Sequence, residues 1–189
     1  GKTLGGYLVG HAICKGYIDS IETTLSDWPL TQGTLIEDAT LREVVNSAIG
    51  DQRYIRMNKS TFWSSGRSAG NLIIRDIVRN ELKGSTAGAN TFWYSQLPAN
   101  IAFNYVAYKT GHNFQEFLDD VMRNHVRLEG KLKLNHTGVF ESRGVIQSNF
   151  KATRYDFLRI GIAMLNDWHD NTCVGKYLKD IYENRIIFI

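Results

Sequence analysis

Residues 3–17 are apolar nearly all round: Leu4, Tyr7, Leu8, Val9, Ala12, Ile13 and Cys14 leave a helix drawn through them without a polar face. Such a helix has to lie at the centre of its domain. We expect it to be the most buried helix of the molecule, with Leu8, Ala12 and Ile13 inaccessible to solvent. Gly5, Gly6 and Gly10 lower its intrinsic propensity and let neighbouring backbones approach closely. His11, on the same helix, reads as a core histidine whose hydrogen bonds are satisfied.

Three capping boxes mark further helix starts. Thr40-Leu-Arg-Glu43 opens a helix carrying Leu41, Val44, Val45 and Ala48 and stopping at Gly50. Asn113-Phe-Gln-Glu116 opens another, with Phe117, Leu118 and Val121 on one stripe. Thr153-Arg-Tyr-Asp156 opens a third, in which Phe157, Leu158, Gly161, Ile162 and Leu165 repeat at helical spacing. Helical periodicity also covers 68–83, 97–110 and 174–185. Asp19 through Pro29 reads as a loop, and strand-like alternation is confined to Lys131–Leu134 and Val139–Phe140. No repeat or Gly/Pro-rich linker divides the chain, so residues 1–189 read as a single, mainly α domain.

The net charge of +3 is spread over scattered Lys and Arg, which makes no electrostatic case for nucleic acid or a membrane surface as partner. No apolar run is long enough for a membrane span, and no signal peptide is present. There is no initiator Met, and the chain closes on Ile186-Ile187-Phe188-Ile189, so both ends read as cuts through a larger protein. Cys14 and Cys173 read as two small buried thiols, with a disulfide between the first and last helices as the alternative in an oxidising compartment. No Cys or His spacing suggests a metal site.

The stretch Phe92-Trp93-Tyr94-Ser95-Gln96-Leu97-Pro98 sets a Tyr, a Ser and an amide at the entry of a helix that Pro98 helps to start. Together with Lys2 at the head of the long apolar helix, it resembles the Tyr-x-Asn and Ser-x-x-Lys boxes of the serine β-lactamase and penicillin-binding protein superfamily. Further segments follow in the order of its class C and esterase-like branch: Gly16–Ser20, Leu25-Ser-Asp-Trp-Pro29, Ala39–Gly50, Lys109-Thr-Gly111, Phe114–Leu118 and Ala152–Arg159. The resemblance implies the helical lobe of a β-lactamase-like α+β fold, with the β-sheet part and its third box outside the sequence. It also implies acyl transfer on a small-molecule ester, amide or β-lactam through a seryl intermediate. No metal or organic cofactor is implied; the lobe's partner would be the sheet portion of the same protein, and the location periplasmic or secreted.

The chemistry explains the residue types. A free Ser hydroxyl is too weak an acid to attack at neutral pH, so the superfamily sets it at a helix N-terminus with Lys one turn on. Burial and a cationic neighbour then let the Lys or a facing Tyr act as base. By the resemblance, Lys2 is the first-box Lys and Tyr94 the base that also protonates the leaving group. Gln96, one methylene longer than the usual Asn, orients Lys2 and binds substrate together with Ser95. The nucleophilic Ser would stand three positions before Lys2, outside the sequence.

Blander readings stand beside these. Lys2 is a solvated terminal Lys, Tyr94 a core plug with a wet hydroxyl, and Ser95 the N-cap of the helix at Pro98. Gly1-Lys2-Thr3 also matches the tail of a P-loop, whose first half is missing. His136-Thr137-Gly138 reads as a tight turn, and His11, His112, His125 and His169 show no ligand spacing. Glu116, Asp119 and Asp120 read as a solvated face. The rival to the hydrolase is a non-catalytic helical module that binds a peptide or another protein.

Overall fold

The first helix of the computed structural model, α1 (Lys2–Cys14), is the hub of the molecule, whose described residues are 2–52, 84–95, 97–137 and 145–186. Leu4, Tyr7, Leu8, Val9 and Ala12 have essentially no solvent contact, as an all-apolar helix requires. Ile13 is only half-buried, because α1 ends one residue later in the turn at Gly16. After a loop with a short 3₁₀ turn at Leu25–Asp27 comes α2 (Leu41–Val45). The capping box at Thr40 and Glu43 forms in both directions, but the helix runs for five residues and does not reach Gly50. Ser47 takes a left-handed conformation, and its carbonyl accepts from the Trp93 N–H instead of continuing the helix.

The next described helix, α3 (Leu97–Thr110), buries twelve of its fourteen residues and so exceeds α1, contrary to the expectation. The two pack along each other. Gly5 earns its place there: a Cβ would sit 3.3 Å from the ring of Phe103 and 3.5 Å from the Ala99 carbonyl. Gly10 faces Tyr177, whose ring would be 2.5 Å from a Cβ, so this glycine admits an aromatic ring rather than a neighbouring backbone. The loop before α2 is clamped onto α3. Asp27 accepts from the Tyr105 hydroxyl and the Lys109 ammonium at 2.8 Å each, and Trp28 stacks on Tyr108. Burial would raise the Asp27 carboxyl; Lys109 and Tyr105 outweigh it and hold it below the usual range.

A 3₁₀ turn at Gly111–Asn113 leads into α4 (Phe114–Asp119), and a π-helical turn, Asp120–His125, follows directly. The expected box at Asn113 does not form, since the chain is already helical there and Asn113 is not in the extended conformation a capping side chain needs. Glu116 and Asp119 are exposed as expected, while Asp120 pairs with Lys15. Strands β1 (Lys133–Thr137) and β2 (Val145–Lys151) form an antiparallel hairpin with a register shift between Leu134 and His136. His136 and Thr137 therefore belong to a strand, paired with Ile146 and Val145, and not to a turn. The expected helix at 68–83 and strand at Val139–Phe140, with Gly138, lie outside the described residues.

Two helices close the chain, α5 (Arg154–Asp170) and α6 (Cys173–Glu183). Thr153 caps α5, accepting from the Asp156 N–H. Asp156 in turn accepts from the Thr153 hydroxyl and from the Glu129 and Gly130 N–H groups, which holds its carboxyl below the usual range. The expected core stripe of α5 is reversed: Phe157, Leu158, Ile162 and Leu165 are exposed, and the buried positions are Asp156, Ile160, Ala163 and Asp167. Two carboxylates can face the core because each finds several donors there. Cys14 and Cys173 are joined in a disulfide that ties the end of α1 to the start of α6. Among the described residues the molecule is mainly helical, with one small two-stranded sheet. Among the described residues no helix is long and apolar enough to cross a membrane.

Candidate functional site

Lys2 opens α1 and is half-buried; Tyr94 lies in the extended segment that leads into α3. Because α1 and α3 pack side by side, their N-terminal ends bring these two residues together across more than ninety positions of sequence. The Lys2 ammonium sits 4.0 Å from the centroid of the Tyr94 ring, well inside cation–π range. It lies over the ring face. No hydrogen bond between the amine and the phenol oxygen is formed among the described residues, so proton exchange between them needs the side chains to rearrange. Tyr94 is 71% exposed, which sets its hydroxyl in solvent and removes the core-plug reading.

Ser95 fixes the backbone next to Tyr94. Its hydroxyl donates to Asp51 Oδ2 at 2.9 Å and accepts from the Leu97 N–H at 3.2 Å. The second bond satisfies one of the orphan donors at the start of α3, the local capping role. Gln96 lies outside the described residues.

Asp51 was not singled out by the sequence. It is fully buried, and its Oδ1 has no hydrogen-bond partner among the described residues. Burial pushes its carboxyl up to about 6, against the Ser95 hydrogen bond that favours the charged form. The group connects to Tyr94 through one residue, Ser95, and so sits behind the candidate pair and not beside it. Only the short spacing Gly50-Asp51 after an apolar segment hinted at it, and that pattern is common in turns.

What this arrangement can do chemically is hold a cation against an accessible phenol at the mouth of two packed helices. Comparison with protein-family models, with curated proteins and with solved structures finds no match.

Proposed function

We propose that the chain is the helical lobe of a β-lactamase-like serine hydrolase, in which Lys2 and Tyr94 serve acyl transfer on an ester, amide or β-lactam. The observation that carries the reading is the seating of Lys2 on Tyr94, 4.0 Å from ring centroid to amine. In this reading the seryl nucleophile stands one turn before Lys2, and Lys2 and Tyr94 exchange its proton with the leaving group. Ser95 and Asp51 position Tyr94 by anchoring the backbone on either side of the α3 entry. The disulfide between Cys14 and Cys173 suits an exported protein.

The test is active-site labelling of a longer polypeptide that carries the residue three positions before Lys2 and the sheet that follows the lobe. Fluorophosphonate or fluorescent penicillin should modify that residue, and Tyr94→Phe should slow the reaction. No labelling by either reagent would count against the reading.

A second reading has its own observation. Leu158, Ile162 and Leu165 present an exposed apolar stripe on α5, the kind of surface that a non-catalytic helical module offers to a peptide or protein. In the hydrolase reading the sheet of the same protein covers such a face.

A further inference from the structure

About 13 Å along α1 from Lys2, counting 1.5 Å per residue, a second constellation gathers around His11. Three separate elements contribute to it: His11 from the last turn of α1, His125 from the last position of the π-helical turn, and Asp167 from α5. One nitrogen of each imidazole and one carboxylate oxygen all lie within 4.8 Å of one another. His125 Nε2 is 2.9 Å from Asp167 Oδ2, and the two imidazole rings meet edge to face with centroids 4.8 Å apart.

The expectation for His11 was a satisfied core histidine, and the structure corrects it. The residue is 4% exposed, yet its Nε2 has no hydrogen-bond partner among the described residues. A buried polar atom left unpaired costs on the order of 1–3 kcal/mol, so an unpaired imidazole nitrogen on a residue beside a second imidazole and a carboxylate calls for a reason.

We infer that His11, His125 and Asp167 bind a divalent transition-metal ion of the zinc class, one per chain. Two imidazoles and one carboxylate form a donor set suited to zinc, cobalt or nickel rather than to magnesium or calcium. Each ligand binds zinc at about 2.0–2.2 Å, which requires donor atoms about 3.4 Å apart at a tetrahedral angle. The His125–Asp167 pair, now a 2.9 Å hydrogen bond, must open by about 0.5 Å as the ion displaces the proton between them to solvent. The widest pair must close by roughly 1–1.5 Å, and the His125 side chain, 40% exposed, has room to turn. The exposed side of His125 is also the way in for the ion and the place of a water as fourth ligand.

The surroundings fit the role. Asp167 is held by the Tyr7 hydroxyl at 2.5 Å and the Thr172 hydroxyl at 2.8 Å, so its carboxylate is oriented before any ion arrives. Lys15 faces this region from the end of α1, but its ammonium is paired with Asp120. The cysteines that could compete for the metal are joined in the disulfide.

The experiment is isothermal titration of the chelator-treated, untagged chain with Zn²⁺ and with Co²⁺, accompanied by thermal melts. The expected result is one ion per chain, a rise in Tm, and at least a tenfold loss of affinity in His11→Gln and in His125→Gln. His112→Gln, at an exposed position on another element, should leave binding unchanged. Should His11→Gln fail to fold by circular dichroism, His125→Gln decides, since its side chain is partly in solvent. The inference is overturned if neither ion binds, or if binding survives in His125→Gln.

Discussion

At the scale of single residues, the informative groups are polar atoms in places where a hydrophobic pattern says nothing. Asp51 is the sharpest case. Its carboxyl is raised from 3.8 to about 6 by burial, so the folded chain keeps a proton that the unfolded chain releases between those values. The stability this group allows is therefore complete below about pH 4 and falls as the pH rises through about 6. A shift of about two units corresponds to at most about 3 kcal/mol. Asp51→Asn, which keeps an acceptor for Ser95, should accordingly gain on the wild type as pH rises from 4 to 7, measured as the difference between their urea unfolding curves. A difference that does not vary with pH would show that Asp51 is ionised and paired in the fold. Tyr7→Phe should cost about 1.5–3 kcal/mol at neutral pH, because it removes a buried hydrogen bond to a charged carboxylate. None of this was legible beforehand: an Asp after a Gly, or a His on an apolar helix, does not announce partners that lie 44 or 114 positions away.

At the scale of elements, the helices whose burial comes from apolar side chains were readable, and those that bury polar groups were not. α3 matches the periodicity of residues 97–110, and Thr40 and Thr153 cap where their sequence boxes stand. Thr40→Ala should lower stability by about 1 kcal/mol in urea titration. α5 was read with the wrong face inward, since Phe157, Leu158, Ile162 and Leu165 outscore a face containing two aspartates on any apolar scale. That inner face works because Asp156 and Asp167 are each met by several donors. Gly175 then lets α6 start hard against the end of α5: a Cβ there would lie 1.8 Å from the Asp167 carbonyl oxygen. Gly175→Ala should destabilise the fold by roughly 1–3 kcal/mol or more, seen as an earlier urea midpoint, because the neighbour is backbone and cannot step aside. Cys14 and Cys173, read first as two buried thiols, are joined in a bridge; their spacing could not show that the end of α1 and the start of α6 meet. Closing a loop of 159 residues is worth up to about 5 kcal/mol in the chain-entropy account, so reduction should lower the melting temperature markedly without shifting the Lys2–Tyr94 end of α1.

At the scale of the whole molecule, α1 links two polar centres, one at its first residue and one about two and a half turns on, in its last turn. The central place of α1 was legible from residues 3–17, and the mainly α class from the capping boxes and helical periodicity along the rest of the chain. The company Tyr94 keeps was anticipated only through the family resemblance, and the hairpin at Lys133–Lys151 was half seen, because short alternating strands carry too few residues to stand out. As a whole, the 189-residue polypeptide should turn over neither nitrocefin nor short-chain nitrophenyl esters, since no Ser stands three positions before Lys2 in it. Loss of a nucleophile from a cooperating set costs on the order of a millionfold in rate. In the proposed hydrolase reading, Lys2 and Tyr94 activate a seryl nucleophile one turn upstream. The most direct measurement of this role is mass-spectrometric mapping of a fluorophosphonate adduct on the longer polypeptide, with wild-type, Lys2→Ala and Tyr94→Phe compared at equal fold stability. An adduct on the residue three before Lys2, lost in Lys2→Ala and formed at least a hundredfold more slowly in Tyr94→Phe, is the expected result; an adduct elsewhere, or one formed at the same rate in all three, would overturn the proposed catalytic role of the pair.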